Sequence, residues 1–313
     1  MGVEPVVLWD RPVDRVRLGR GGRVLLAVED EAAARGFDTG TLEPLGPEMR
    51  LGFDGMCGLA DVDILPGPVV VEARRDVLRT WDLVTGEPVA EVPYGGGIDT
   101  PLAVECGMIR GRAAVFVFGF SEAEWGWEAC ALDSGALLAA QPDFHPSYWM
   151  AEAGIGLVDD LLAVPAQFLG FTGEDAVDKY RVDVYRLPEG RVCGSIADVG
   201  PREVSVAALG GRPVLLGGGR VRALPGGGDL IGHTGLWDVL VAADVGDGAL
   251  VAGLCRWKKA LSVWFLDAPD DPVLSLEAPW LERVWDMAMA PDGTLFLAAD
   301  TGVHALRPLG TVP

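Results

Sequence analysis

Lysine is scarce, no two cysteines are closely spaced, and no long hydrophobic run occurs; each shortage excludes something. Three lysines and 22 arginines stand against 46 carboxylates, for a formal net charge of −21. A chain this acidic offers little to a phosphate backbone or an anionic bilayer, so neither nucleic acid nor membrane is expected as a partner. The preference for arginine over lysine resembles the usage of GC-rich bacterial genomes. With no stretch of about 18 apolar residues, no transmembrane helix is expected. The opening MGVEPVVLWDRPVDR has no basic head ahead of its short apolar stretch, so it does not read as a signal peptide. Five cysteines (Cys57, Cys106, Cys130, Cys193 and Cys255), odd in number and without a Cys-x-x-Cys pair, argue against a disulfide framework or a zinc site. Small buried thiols in a reducing, cytoplasmic setting are expected, with no metal and no cofactor.

Catalytic patterns are also missing. The chain has no nucleophile elbow, no His-Glu-x-x-His and no phosphate-binding glycine loop. GGGR (217–220) and LPGGGD (224–229) read as turns, because no helix follows either one. Glu174, Asp175 and Asp178 lack the alternate-residue spacing of a calcium loop.

What is present is a repeat. Among 313 residues, half of them apolar, 43 glycines and 22 prolines punctuate short elements. Seven segments share a tight turn followed by a nearly continuous apolar run: Gly21-Gly22 before RVLLAV, Pro66-Gly67 before PVVVEA, Gly111-Arg112 before AAVFVFGF, Asp159-Asp160 before LLAVPA, Gly210-Gly211 before RPVLLGG, Asp247-Gly248 before ALVAGL, and Asp292-Gly293 before TLFLAA. Turn residues 22, 67, 111, 160, 211, 248 and 293 are 45, 44, 49, 51, 37 and 45 apart, and passing off the end and back to the start adds a last step of 42. Seven units of about 45 residues match four-stranded propeller blades. Alternating stretches such as RVRLG and WDVLVAA precede the apolar runs as inner strands. The runs suit second strands buried on both faces, being too short and Gly-bounded for helices.

Residues 232–266 resemble a WD repeat, opening with Gly232-His233 and carrying Trp264-Phe265 in the Trp-Asp position; Trp81-Asp82 and residues 285–306 resemble parts of two more. Elsewhere the period persists without the motif, with Phe37-Asp38 and Val184-Tyr185 in its place. The resemblance implies a degenerate WD-repeat-like β-propeller: all-β, seven-bladed, a single domain over 1–313, with blades near 11–46, 56–93, 98–141, 153–197, 202–232, 236–277 and 284–307. It also gives His233 the structural role of a histidine bonded toward Trp264. The unassigned strand at 3–10 is expected to complete the last blade. A closed ring, on this reading, leaves no edge to pair and so predicts a monomer.

Turns between first and second and between third and fourth strands are short and nearly free of aromatics. The connections at the other pole are long: 47–56, 93–101, 120–127, 141–153, 167–180, 232–237, 256–260 and 277–285. They carry most of the tryptophans, an arrangement that suits a binding surface around the channel mouth, because Trp, Tyr and Arg anchor interfaces. The candidate ligand- or partner-binding residues are Arg50, Phe53, Tyr94, Trp125, Trp127, Phe144, His145, Tyr148, Trp149, Phe171, Trp237, Trp257, Trp280 and Trp285. Arg256, Lys258 and Lys259 form the one compact basic cluster, suited to an acidic group or simply to solvent. His304, in a third strand, is expected in the core. The preferred function is a non-catalytic binding scaffold for a peptide, protein or small ligand. The alternative is an enzyme at the same mouth, with His145, Asp99, Glu122 or Glu124 as acid or base.

Overall fold

The computed structural model describes residues 5–19, 21–29, 33–51, 56–62, 64–121, 124–141, 155–172, 175–197, 199, 204–231 and 237–307. Seven four-stranded antiparallel sheets follow one another along the chain. Blades 1 to 6 span 15–50, 56–93, 100–140, 156–197, 205–231 and 239–277, each with its strands in chain order. Blade 7 is built from Val284–Met289, Leu295–Ala299 and Gly302–Leu306, with Val6–Trp9 as its outermost strand. The expected propeller and its N-terminal closing strand are both present.

The local causes are those the repeat announces. Gly22, Gly111, Gly211 and Gly293 take positive φ in the turns that launch the second strands, where a side chain would be strained. The runs they launch are buried on both faces, as with Leu25, Leu26 and Ala27, because adjoining blades cover either side. At the ends of two third strands, Asp38 and Asp82 organise the next turn. Asp38 Oδ1 accepts the N–H groups of Gly40 and Thr41, and Asp82 Oδ1 those of Val84 and Thr85. These backbone donors hold both carboxyls below the usual carboxylate range.

The seam where the ring closes is tied at three radii. At the rim Val6 pairs with Ala305, Val7 with His304 and Trp9 with Val303. Val13 N–H reaches the Ala299 carbonyl at 3.0 Å. At the hub, Asp286 of blade 7 accepts the Val16 N–H at 3.0 Å and the Arg17 guanidinium at 2.6 Å, both from blade 1.

Four expectations need correction. Blade 1 runs past residue 46: Met49–Arg50 forms its outer strand, pairing with Ala33 and Ala34, so Arg50 is an exposed strand residue and not part of a crossover loop. The segments 120–127 and 167–180 are largely strand. Phe120 pairs with Trp125, and Leu161–Thr172 pairs with Asp175–Arg186 over its full length, continuing to Thr172 after the last inner-strand pair at Ala163. The apolar alternation of Phe116, Phe118 and Phe120 is a strand signal that their proximity to glycines obscured. Cys130 and Cys255 are buried as expected, but Cys193 is exposed. Finally, ring closure does not remove sheet edges, because each blade's outer strand is paired on one side only. The edge strand Pro88–Pro93 is blunted by a proline at each end instead.

Candidate functional site

The best-defined aromatic cluster lies where blades 6 and 7 meet, at the pole of the long connections. Strands Gly248–Cys255 and Ala260–Phe265 are joined by the turn Arg256-Trp257-Lys258-Lys259, closed by a bond from Lys259 N–H to the Arg256 carbonyl at 3.0 Å. Lys259 takes φ +55, and the Arg256 N–H is anchored on Asp238 Oδ2 at 2.6 Å. This geometry throws Trp257 and Lys258 outward, and Trp257 is 61% exposed. Beside the turn runs the blade 6-to-7 crossover, whose 3-10 helix Pro279–Arg283 is bound back through Ala278 N–H to the Lys259 carbonyl. Lys259 also pairs with Glu282 at 2.7 Å, which holds that exposed carboxyl below its ordinary range.

Trp285 follows the helix and is 42% exposed. Its indole N–H donates to Asp300 Oδ1 at 2.6 Å, while Arg256 lies over the ring at 5.5 Å and donates to the Trp285 carbonyl at 2.7 Å. Lys258 Nζ lies 4.9 Å from the centre of the Trp257 ring. Trp257 and Trp285 are therefore each faced by a cation of the chain itself.

Several other candidates pack into the structure. Trp127 is fully buried between blades 3 and 4, edge-on to Tyr185 at 5.2 Å, so it is core and not binding surface. Tyr94 is buried, and its hydroxyl donates to Glu128 Oε2 at 2.7 Å, an oxygen that also accepts the N–H groups of Gly97 and Ile98. Burial and that carboxylate push the phenol's pKa up. Tyr94 thus braces the 93–100 crossover from within. Trp237, half-buried, lies against Trp264 at 5.5 Å over Gly253, where a Cβ would come within 2.5 Å of the indole. Trp280 is half-buried and stacked on His304 at 5.0 Å. His304 is buried in its strand, with Thr301 Oγ1 at 2.9 Å from Nε2. Asp99 is bonded to the exposed Arg75 at 3.1 Å. Phe53, Glu122, Phe144, His145, Tyr148, Trp149 and His233 lie outside the described residues. Glu124, Trp125 and Phe171 are placed in strands by their backbones alone. Of the four acid–base candidates, only Asp99 has a described side chain.

Sequence reasoning overlooked a second concave feature. The channel encloses a cavity of about 270 Å³ walled mainly by inner-strand Val, Leu, Ala and Met side chains, with Arg17, Glu105 and Asp286 among them. Arg17 bonds Asp286 at 2.6 Å and approaches Glu105 at 3.5 Å, joining blades 1, 7 and 3. Burial pushes the Glu105 carboxyl up, opposed by Arg17, reinforced by Asp286 and again opposed by Arg15. The available signal was a charged residue inside an otherwise apolar inner strand.

Among solved structures, the WD40 β-propeller domain of Doa1 superposes with a TM-score of 0.63 at 8% identity, covering 97% of each chain. The Dos1 propeller gives 0.60 at 13%, covering 95% of this chain and 78% of that one. Hydrazine synthase from Kuenenia stuttgartiensis gives 0.61 at 12%, covering 96% of each. No protein-family model and no curated protein matches the chain. At such identities the likeness establishes the fold, a WD-repeat-like seven-bladed propeller.

Proposed function

We propose that the protein is a non-catalytic scaffold that binds a protein or peptide partner at the pole bearing Trp257 and Trp285. The observation that carries this reading is the exposure of two tryptophans on adjoining blades, in a surface braced by Lys259–Glu282, Trp285–Asp300 and Arg256–Asp238. A rigid, partly exposed indole costs little entropy to dock and contributes a large apolar area, which is how hot spots work. The WD-repeat-like fold supports the same reading, since proteins of that kind generally present one face to partners, although fold alone does not decide function. Among the described residues no helix is long and apolar enough to cross a membrane.

The test is co-purification with a defined partner from the source cell. Trp257→Ala is expected to weaken that complex about tenfold or more, as hot-spot truncations do, while leaving the melting temperature unchanged because the side chain is mostly exposed. A partner retained equally by the variant counts against this face.

A further inference from the structure

We propose that the partner segment this pole reads is acidic: a peptide that sets a carboxylate against the Lys258 ammonium and an apolar side chain against Trp257. The inference rests on the binding-face reading and narrows it. Exposed indoles ordinarily invite cations, yet here the invitation is already taken up. Lys258 Nζ stands 4.9 Å from the Trp257 ring centre, and the Arg256 guanidinium 5.5 Å from that of Trp285. A partner's lysine or arginine approaching either ring would meet a like charge at a distance where repulsion offsets the cation–π gain.

Three acidic groups around this turn are committed elsewhere. Glu282 pairs with Lys259, Asp300 takes the Trp285 N–H, and Asp238 takes the Arg256 backbone N–H. Lys258 is exposed and makes no ion pair or hydrogen bond among the described residues, in a chain with 46 carboxylates. An unneutralised ammonium lying on an apolar ring is a two-part receptor, complementary to a carboxylate next to an apolar side chain.

The net charge of −21 adds a second, independent readout. The surface as a whole repels an acidic peptide at long range, whereas Lys258 attracts it at contact. Salt screens the long-range part first, as the Debye length shrinks from about 30 Å at 0.01 M to about 8 Å at 0.15 M. Affinity should therefore hold or rise over that range, opposite to the fall shown by a pair of oppositely charged proteins.

Fluorescence anisotropy of labelled nonapeptides on the full chain tests the proposal. One peptide carries a single Phe flanked by Asp and Glu, and its counterpart carries Lys and Arg at the same positions. The acidic peptide should bind about tenfold or more tightly than the basic one. Lys258→Glu and Trp257→Ala should each remove that advantage at an unchanged melting temperature, and Lys258→Met, which keeps the apolar stem, should weaken it. No acidic-peptide binding, a preference for the basic peptide, or binding indifferent to Lys258→Glu overturns the inference. Equal Lys258-dependent binding to phosphatidylserine vesicles does so as well, because it would mark a general anion surface. A natural partner that depends on Trp257 but ignores Lys258→Glu would leave the binding face standing and remove only its acidic specificity. Indifference to Trp257→Ala would remove the face itself.

Discussion

Glu105 illustrates what a single side chain costs when an inner strand turns it toward the channel. Burial raises its carboxyl above the ordinary 4.5, so the folded chain holds that proton more tightly than the unfolded one. Its contribution to stability is therefore present below about pH 4.5 and is lost as pH rises through the folded pKa. Glu105→Gln should raise the melting temperature at pH 7 and flatten the decline above pH 4.5, while Arg17 keeps its 2.6 Å bond to Asp286. Matched thermal melts from pH 4 to 8 would show it, and a variant less stable than wild type at pH 7 would refute the assignment. His304 acts at higher pH. Burial lowers its pKa from 6.5, so the folded state resists a proton that the unfolded state accepts, and its contribution fades as pH falls below 6.5. At this scale legibility depended on locality. Trp257 could be read from its turn, whereas Trp127 and Tyr94 could not, because their orientation follows from pairing across a strand and from Glu128, 34 positions from Tyr94. Arg17 and Asp286 are 269 positions apart and meet only in the finished ring.

Among elements, the closing strand is the most exposed to test. Val6 and Val7 are about half exposed, so its anchoring falls to backbone pairing and to Trp9, which is buried against Phe37 at 6.5 Å. Gly302 makes the pairing possible: its φ is +122, and a Cβ there would lie 1.9 Å from the Trp9 carbonyl oxygen. Gly302→Ala must therefore displace the strand. Trp9→Ala should cost about 3–5 kcal/mol, and deletion of residues 1–10 should destabilise the whole ring. Denaturant melts would measure both, and a truncated chain with an unchanged midpoint would count against closure. The number of blades was readable because turn and apolar run lie side by side in sequence. Strand ends were not: Gly46-Pro47 resembles a terminus, yet Met49 and Arg50 still find partners across the sheet in Ala33 and Ala34. Aromatic density at 120–127 and 167–180 read as loop because composition alone does not separate a decorated loop from a hairpin that outgrows its neighbours.

For the whole molecule, the excess of acidic charge is the dominant long-range term. A formal charge of −21 opposes the compact state, and screening relieves it. The melting temperature should rise between about 0.01 and 0.15 M sodium chloride, and calorimetry showing a fall would indicate that local ion pairs such as Arg17–Asp286 outweigh the global repulsion. The seam between blades 7 and 1 also dictates an order of events during synthesis. Val6–Trp9 emerge from the ribosome almost a full chain length before Val303 and Ala305, the residues they pair with. Six blades can form on the nascent polypeptide while Val6–Trp9 waits unpaired for the seventh, and Gly302–Leu306 stays uncovered until the two distant segments find each other. Such long-range pairing is slow and leaves an unfinished edge open to other chains. The interval between translation and latching is thus when this protein is most vulnerable to aggregation.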